Sequence, residues 1–181
     1  MKKKILILLF VLALLFVLVG CKKEPDNGKY IQSENDIRTK YEEHFDALPT
    51  SLNNLDYLDK KGNIVKESFP VDNYGNEYEY GYYIGDNLSH DYYATYYLAG
   101  EYNKFSGVCI LPYDLRTTDF GSCFEIYGDS KLLFKSDKTK AGCKPQYFEI
   151  DINGVEYLTI FYPEGNGISE LATICDGIFE K

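Results

Sequence analysis

The sequence has no tryptophan, and its 181 residues include one methionine and only two histidines. It also lacks a glycine-rich phosphate loop, a histidine pair at helical spacing and a paired-cysteine zinc pattern. These absences remove the motifs that would indicate a nucleotide-dependent enzyme or a zinc protein.

Positive charge is scarce as well. There are 19 lysines and arginines against 28 aspartates and glutamates, which gives a formal net charge of −9. Cleavage after residue 20, predicted below, would remove three lysines and no acid and would change this charge to −12. Nucleic-acid binding depends on Lys and Arg neutralising phosphates, so we expect no nucleic-acid partner.

No catalytic constellation stands out in the sequence. His90 lies between Ser89 and Asp91, but the members of a catalytic triad must converge from separate segments. Carboxylates are plentiful, yet a high acidic content is typical of solvated faces and loops, so no general acid and base pair can be chosen. We therefore expect a protein without enzymatic activity.

The N-terminus has the pattern of a secretory signal. Three lysines follow Met1, and an apolar run extends from Ile5 to Val19, which is shorter than the ~20 residues that a membrane span requires. Residues 18 to 21, Leu-Val-Gly-Cys, form a lipobox. This predicts a signal peptide at residues 1–20 and a mature chain anchored by lipid on Cys21 at the extracytoplasmic face of the cell membrane. The alternative is an ordinary cleaved signal with an incidental cysteine.

Two short segments separate this cysteine from the rest of the chain. Residues 21–32 are polar and carry no apolar period, which predicts a flexible tether. In residues 33–52, Ile37, Tyr41, Phe45 and Leu48 recur at helical spacing, and Pro49 ends the pattern. We expect a short amphipathic helix that packs on the following domain, with a partner-binding helix as the alternative.

From about residue 53 onward the apolar period changes from helical to two, which predicts β-strands. The alternating segments are Tyr74 to Ile84, Tyr92 to Leu98, Phe105 to Leu111, Phe124 to Ser136, Phe148 to Ile152, Tyr157 to Tyr162 and Ala172 to Phe179. Gly128, Asp129 and Ser130 predict a tight hairpin, and Asn153 with Gly154 predicts another. Seven or eight short strands with alternating faces predict an all-β antiparallel sandwich over residues 53–181.

Tyrosine is the unusual component: 18 in the chain, ten of them between Tyr74 and Tyr102. Alternating tyrosines in a strand are mostly core residues, so we expect the even-numbered set from Tyr74 to Tyr82 to be buried. A tyrosine outside such a pattern can offer its flat face to a sugar ring. The candidates for an exposed platform of this kind are Tyr83, Tyr92, Tyr93 and Tyr113.

Four cysteines remain beyond the anchor: Cys109, Cys123, Cys143 and Cys175. They permit two disulfides with three connectivities, and the most acceptable single pairing is Cys109 with Cys175. Cys109 shares a face with Phe105 and should point inward, whereas Cys123 shares a face with Glu125. Free buried thiols are an equally good interpretation.

The order of these elements resembles the NPCBM family of carbohydrate-binding modules over about residues 53 to 181. The matching residues are Tyr96, Leu98, Gly100, Lys104, Phe105, Phe124, Tyr127, Gly128, Asp129, Lys131, Leu132, Leu133, Phe134, Ser136, Pro145, Gly154, Leu158 and Thr159. Residues 72 to 78, DNYGNEY, also look like the opening segment of such modules. The resemblance implies a jelly roll of the galactose-binding type and a sugar ligand.

The same resemblance exposes two departures. Sugar-binding members carry a histidine before the Tyr-x-Leu strand, and here His90 is displaced from that place by one position. Before the last strand, where the family has an acid, a histidine and a tryptophan, this chain has Glu170, Leu171 and Ile174, so only the acid is kept.

We therefore expect a surface-anchored lipoprotein whose domain binds a cell-surface or envelope glycan without catalysis. The expected carbohydrate-binding residues lie in loops at one end of the sandwich: Tyr83, Asn87, His90, Tyr92, Tyr113, Glu164, Asn166 and Glu170. No cofactor is expected. A structural calcium ion is left open, because no contiguous loop of oxygen ligands is visible. The alternative is a protein-interaction sandwich with a degenerate sugar site.

Overall fold

The computed structural model describes residues 49–85, 90–165 and 168–181, and these residues form two antiparallel sheets packed face to face. The strands are β1 (Thr50–Ser51), β2 (Asp59–Lys61), β3 (Asn63–Ser68), β4 (Tyr80–Gly85), β5 (Tyr92–Tyr97), β6 (Lys104–Ile110), β7 (Glu125–Gly128), β8 (Lys131–Lys135), β9 (Gln146–Asp151), β10 (Tyr157–Tyr162) and β11 (Thr173–Glu180). Short 3₁₀ helices occupy Leu52–Asn54, Tyr113–Leu115 and Ser169–Ala172. The predicted all-β antiparallel sandwich is confirmed.

One sheet has six strands in the order β3-β4-β11-β6-β9, with β1 paired to β11, and the other has five in the order β2-β5-β10-β7-β8. The inward positions of both sheets are apolar and form one core, as the period of two predicts. On β9, for example, Phe148 and Ile150 are buried while Tyr147 and Glu149 are exposed. The helix predicted within residues 33–52 falls mostly on residues that lie outside the described part of the chain.

The two predicted hairpins had different outcomes. β7 and β8 pair directly across Asp129 and Ser130, both of which have positive φ, so the first hairpin is confirmed. The second prediction was wrong, because β9 pairs with β6 in one sheet while β10 pairs with β5 and β7 in the other. The turn at Asn153 and Gly154 therefore carries the chain from one sheet to the other. Local turn chemistry indicates that the chain reverses there, but not which strand becomes its neighbour.

The expected burial of the even-numbered tyrosines was also wrong. Tyr82 is buried, but Tyr74 is 56% exposed, Tyr80 is 39% exposed, and Tyr78 is half-buried. For Tyr74 and Tyr78 the reason is that β4 begins only at Tyr80, and Tyr80 itself, the first residue of the strand, is exposed although it shares the parity of Tyr82. The alternation of a strand does not apply to the segment before Tyr80, which we call the covering segment (residues 69–79).

The covering segment crosses the outer face of the six-stranded sheet. Its Tyr78 packs on a small second core made of Val108, Ile110 and Cys175. Farther along, the Tyr74 hydroxyl donates to the carbonyl of Gly142, 3.1 Å away. These contacts fix the segment across β11 and β6.

Asp72 organises the turn of the covering segment. Its fully buried carboxylate accepts the backbone N–H groups of Tyr74 (2.8 Å) and Asn76 (2.9 Å), the Asn76 side-chain amide (2.8 Å) and the Tyr78 hydroxyl (3.0 Å). Burial alone would raise the pKa of Asp72, but these hydrogen bonds lower it below its usual range.

The described cysteines are all free thiols. Cys109 is buried in the main core, as its parity predicts, whereas Cys175 belongs to the second core on the other face of the same sheet. A disulfide between them is absent because they lie on opposite faces, although Cys109 pairs with Ile174, the residue before Cys175. Cys123 is buried together with Glu125, so its predicted outward position was wrong.

Five connections share one end of the sandwich, which we call the loop end. They are the connections β2–β3, β4–β5, β6–β7, β8–β9 and β10–β11. Their common position follows from the strand pairing, because residues at or near the strand ends that flank these connections are opposite one another in the sheets. The pairs are Asn63↔Gly85, Tyr162↔Tyr92, Thr173↔Ile110, Phe161↔Glu125, Glu125↔Lys135 and Cys109↔Gln146. β1 lies at the opposite end, where Thr50 pairs with Phe179. Within the described ranges, no helix has the length and apolarity needed to cross a membrane.

Candidate functional site

The β4–β5 and β10–β11 connections are joined by a hydrogen bond at the loop end. The carboxylate of Asp91 accepts the backbone N–H of Glu164 at 2.5 Å. His90, immediately before Asp91, is exposed, and so is Glu164. The structure therefore brings together two of the loops in which the sequence predicts sugar-binding residues, and it leaves polar side chains of both loops open to solvent.

A close approach between the end of β4 and the 3₁₀ helix Ser169–Ala172 supports this arrangement. A Cβ atom on Gly85, the last residue of β4, would lie 2.0 Å from the Ser169 hydroxyl oxygen. A side chain at Gly85 would require the Ser169 hydroxyl to rotate away and would bring its Cβ atom to 3.3 Å from that of Ser169. On the same helix, the Leu171 carbonyl accepts a hydrogen bond from Thr139 of the β8–β9 connection. The helix thus ties three connections of the loop end together.

Glu170 lies in an acidic environment on the outer side of the six-stranded sheet. Burial, together with smaller contributions from the nearby carboxylates of Glu170 and Glu67, raises the pKa of Tyr83 to about 12. Burial also raises the pKa of Glu67, with a smaller contribution from Glu170. Tyr83 and Glu170 are thus brought together as expected, and Glu67 joins them. Sequence reasoning missed Glu67, because only the pairing of β3 with β4 sets Glu67 opposite Gly81 and beside the Tyr83 position.

Two of the four tyrosines that we expected to present an exposed flat face do not present a fully open one. Tyr92 is 4% exposed and belongs to the main core, so the expectation for it was wrong. It begins β5 with inward parity, and its ring packs beneath Gly62 and Gly85. Tyr113 is 43% exposed, but the Arg116 guanidinium covers one ring face at 3.8 Å from the centroid.

Tyr93 is half-buried, and its hydroxyl donates to Asp59 at 3.0 Å. Tyr113 lies at the loop end, but no hydrogen bond or ring contact among the described residues joins it to Asp91, Glu164 or Glu170. Cys21, Asn87 and Asn166 lie outside the described residues. Across the described ranges, no three His, Cys, Asp or Glu side chains form a group that could hold a metal ion.

Comparison with known protein families gives one match. The model of the NPCBM/NEW2 domain matches residues 66–173, which is more than half of the chain. No curated protein sequence matches.

Several solved structures share the fold. A CBM51 from Clostridium perfringens GH95, solved with methyl-galactose, is 18% identical with a TM-score of 0.59, and the match covers 72% of this chain and 99% of that one. CBM51-2 of C. perfringens ZmpB, solved with GlcNAc and INT domains, is 14% identical with a TM-score of 0.59 and the same coverage of this chain. Tandem CBM51 modules of Sp3GH98 from Streptococcus pneumoniae SP3-BS71 are 13% identical, with a TM-score of 0.60 and 73% coverage.

The chain spans only 31% of the ZmpB structure and 46% of the tandem modules, because those structures contain further domains or modules. At these identities the likeness concerns the fold alone. The family match, which covers the strands from β4 to β10 and both joined loops, extends further: this chain belongs to the NPCBM family and has the fold of a carbohydrate-binding module.

Proposed function

We propose that this domain is a non-catalytic carbohydrate-binding module that holds a cell-surface or envelope glycan at its loop end. The observation that carries the proposal is the hydrogen bond between Asp91 and Glu164, which fixes two loops against each other. Carboxylate oxygens accept hydrogen bonds from sugar hydroxyls, and a few fixed polar groups are enough to orient a small ligand.

The recognition would rest mainly on polar groups. Asp91, Glu164 and Glu170 supply acceptors, and Asn87 and Asn166 are the proposed amide contacts from the same loops. Tyr92 is buried and cannot stack on a sugar. Apolar contact is therefore left to His90, Tyr83 and the open side of Tyr113. The GlcNAc and methyl-galactose complexes of similar modules support a single pyranose as the unit recognised.

The anchoring is part of the same proposal. Residues 1–20 would be removed as a signal peptide, and lipid on Cys21 would hold the mature chain at the extracytoplasmic face of the membrane. Residues 21–32 would form the tether and residues 33–52 a helix and linker. The chain enters the sandwich at Thr50, at the end opposite the loop end. This geometry suits a module that presents its loops away from the membrane.

A protein-interaction module is the second candidate. Leu171 and Ile174, which stand where the resemblance implies a histidine and a tryptophan, are both buried in the domain. Their side chains have become part of the packing, so two groups of the family site are lost. This observation favours a sandwich that keeps the fold and docks to a protein.

A glycan array tests the proposal directly. The full-length chain, purified in a detergent without sugar head groups, is applied with and without calcium. We expect saturable binding to one class of glycan, weakened at least about tenfold by Asp91→Ala, because the two loops lose their connecting hydrogen bond. Asp119→Ala is the matched control, since Asp119 is an exposed acid in the β6–β7 connection.

No binding to any glycan by a folded sample would contradict the proposal and favour the interaction module. Equal losses with Asp91→Ala and Asp119→Ala would contradict the assignment of the site to the joined loops.

A further inference from the structure

A groove of about 440 Å³ lies on the outer face of the six-stranded sheet, away from the joined loops. Its lining includes Ser106, Gly107, Val108, Tyr147, Glu149 and Asp176. These residues come from β6, β9 and the irregular part of β11, so the groove runs across three neighbouring strands. Its width spans two strand spacings, or about 10 Å.

The groove exists because the covering segment ends above β6 and leaves β9 open. Tyr78 of that segment covers Val108. The next aromatic side chain along the face, Tyr147 on β9, is 75% exposed. Tyr147 pairs with Val108, so its ring stands at one border of the groove with an apolar floor beside it.

A β-bulge forms the opposite border. The register of β11 against β6 shifts between Cys175 and Ile178, and Asp176 has a φ of +48°. The Oδ1 atom of Asp176 accepts the backbone N–H groups of Glu79 (2.9 Å) and Tyr80 (3.0 Å). These two bonds hold the carboxylate in one position. Bulges often re-aim a side chain near a functional site.

Gly107 lies in the floor of the groove, and its Cβ direction points inward to the core. A Cβ atom there would lie 2.8 Å from the Phe148 ring and 3.2 Å from the Cys175 carbonyl oxygen, so a side chain cannot be added without moving core groups. Ser106, its neighbour on β6, pairs with Glu149 of β9.

Several polar groups of the groove have bonding capacity left. Among the described residues, nothing donates to Oδ2 of Asp176 or binds the Ser106 hydroxyl. The carboxylate of Glu149 contacts Lys104 at 3.3 Å, and Lys104 also contacts Glu180 at 3.0 Å. The groove thus combines one exposed aromatic face, two fixed or partly fixed carboxylates and a hydroxyl.

We propose that this groove is a second carbohydrate site, which binds one neutral pyranose with its apolar face on the Tyr147 ring and its hydroxyls on Asp176, Glu149 and Ser106. An aromatic face beside hydroxyl acceptors suits a sugar ring. An anionic sugar is disfavoured because both carboxylates repel it, and the chain as a whole carries a net charge of −9. The groove is also too small and too polar to be the contiguous apolar patch typical of a protein interface.

The choice of a sugar as ligand rests on the proposed function, whereas the location does not. The test uses the absence of tryptophan from the chain. Tyr147→Trp puts a single indole on the groove border and keeps a flat stacking face. The full-length variant, in the same detergent, is titrated with methyl-galactose and separately with GlcNAc. We expect a saturable change in indole emission with one of them.

Leu132→Trp is the matched control, because Leu132 is an exposed residue on β8 of the other sheet. Its emission should not change. Adding Asp176→Asn to Tyr147→Trp should weaken the affinity about tenfold, since it removes a charged acceptor. The asparagine oxygen can still accept the two N–H groups that hold the bulge, so this variant keeps the fold.

The groove site would be overturned if the emission of Tyr147→Trp did not change with either sugar. It would also be overturned if the emission of Leu132→Trp changed by the same amount. A response abolished by Asp91→Ala would assign the sugar to the loop end and would also overturn it. If the glycan array shows binding but the indole emission does not change, the loop-end proposal remains intact. If the indole emission changes saturably but the array shows no binding, only the loop-end proposal is contradicted.

Discussion

The hydroxyl of Tyr82 lies 2.6 Å from the hydroxyl of Tyr96, and both side chains are 1% exposed. Tyr82 belongs to β4 of the six-stranded sheet and Tyr96 to β5 of the other. The bond therefore joins the two sheets through the middle of the core. Burial raises the pKa of both hydroxyl groups, so both remain protonated at any physiological pH.

The hydroxyl groups of Tyr82 and Tyr96 should be coupled in their contributions to stability. We expect Tyr82→Phe and Tyr96→Phe each to lower the free energy of unfolding by about 1–2 kcal/mol, since each leaves the other hydroxyl buried without a partner. The double variant should lose less than the sum of the two. Urea unfolding of all four proteins measures the coupling, and strictly additive losses would contradict the proposed pairing.

Replacement of Asp72 should release the covering segment. Asp72→Ala removes a buried acceptor of four hydrogen bonds and should lower the free energy of unfolding by about 2–4 kcal/mol. Because the folded state lowers the pKa of Asp72, its contribution is present above the ordinary carboxyl pKa and is lost as pH falls through the folded value.

Thermal unfolding of wild type and Asp72→Ala at several pH values checks both statements. The gap between the two proteins should be widest near neutral pH and should narrow below about pH 4. A constant gap across this range would contradict the role of the carboxylate charge.

Glu67 should have the opposite pH dependence. Its pKa is raised by burial and by Glu170, so the folded state is favoured below the ordinary carboxyl pKa and loses stability as pH rises through the folded value. Glu67→Gln should therefore stabilise the domain at pH 7, by less than about 1 kcal/mol because solvent screens a partly exposed group. The gain should vanish near pH 4.

The control for this prediction is Glu156→Gln, which changes an exposed carboxylate on the turn before β10. Its melting temperature should follow that of the wild type at both pH values. If Glu67→Gln also follows the wild type, neither the burial of the Glu67 carboxylate nor its repulsion by Glu170 affects stability.

The thiols should react with alkylating reagents in an order set by burial. Burial raises the pKa of Cys109 and of Cys175, so neither forms the reactive thiolate readily. Cys143 is half-buried and should be the first of the four described thiols to be alkylated in the folded protein. Mass spectrometry after a brief exposure to iodoacetamide identifies the modified residue. Reducing agent should leave the melting temperature unchanged, and a drop would indicate a disulfide.

The sequence predicts the strands well where one face of a strand meets the core. Phe148 and Ile150 alternate with exposed neighbours as expected, and the β7–β8 hairpin follows from its turn residues. Prediction failed where a long-range contact replaced the local pattern. The period of two continues back to Tyr74, but Asp72 bends the chain into a turn there and carries it onto the sheet surface.

The candidate site could be anticipated only in part. The resemblance indicated the loops of Asp91 and Glu164, and the structure joins them. Tyr92 has the inward parity of Ala94 and Tyr96, but the packing of its ring under Gly62, between β2 and β3, and Gly85, the last residue of β4, depends on contacts that the sequence does not indicate. Tyr147 was overlooked for a related reason, because alternation identifies it as outward but cannot indicate that its surroundings form a groove.

The pairing of β1 with β11 has a mechanical consequence. Thr50 and Ser51 bind beside Phe179 and Ile178, at the far end of the strand whose other end leads into the loop end. A pull between a fixed N-terminus and a ligand held by the loops would act along β11. The hydrogen bonds between β1 and β11 would then be loaded in shear, so that they resist together before the strands separate.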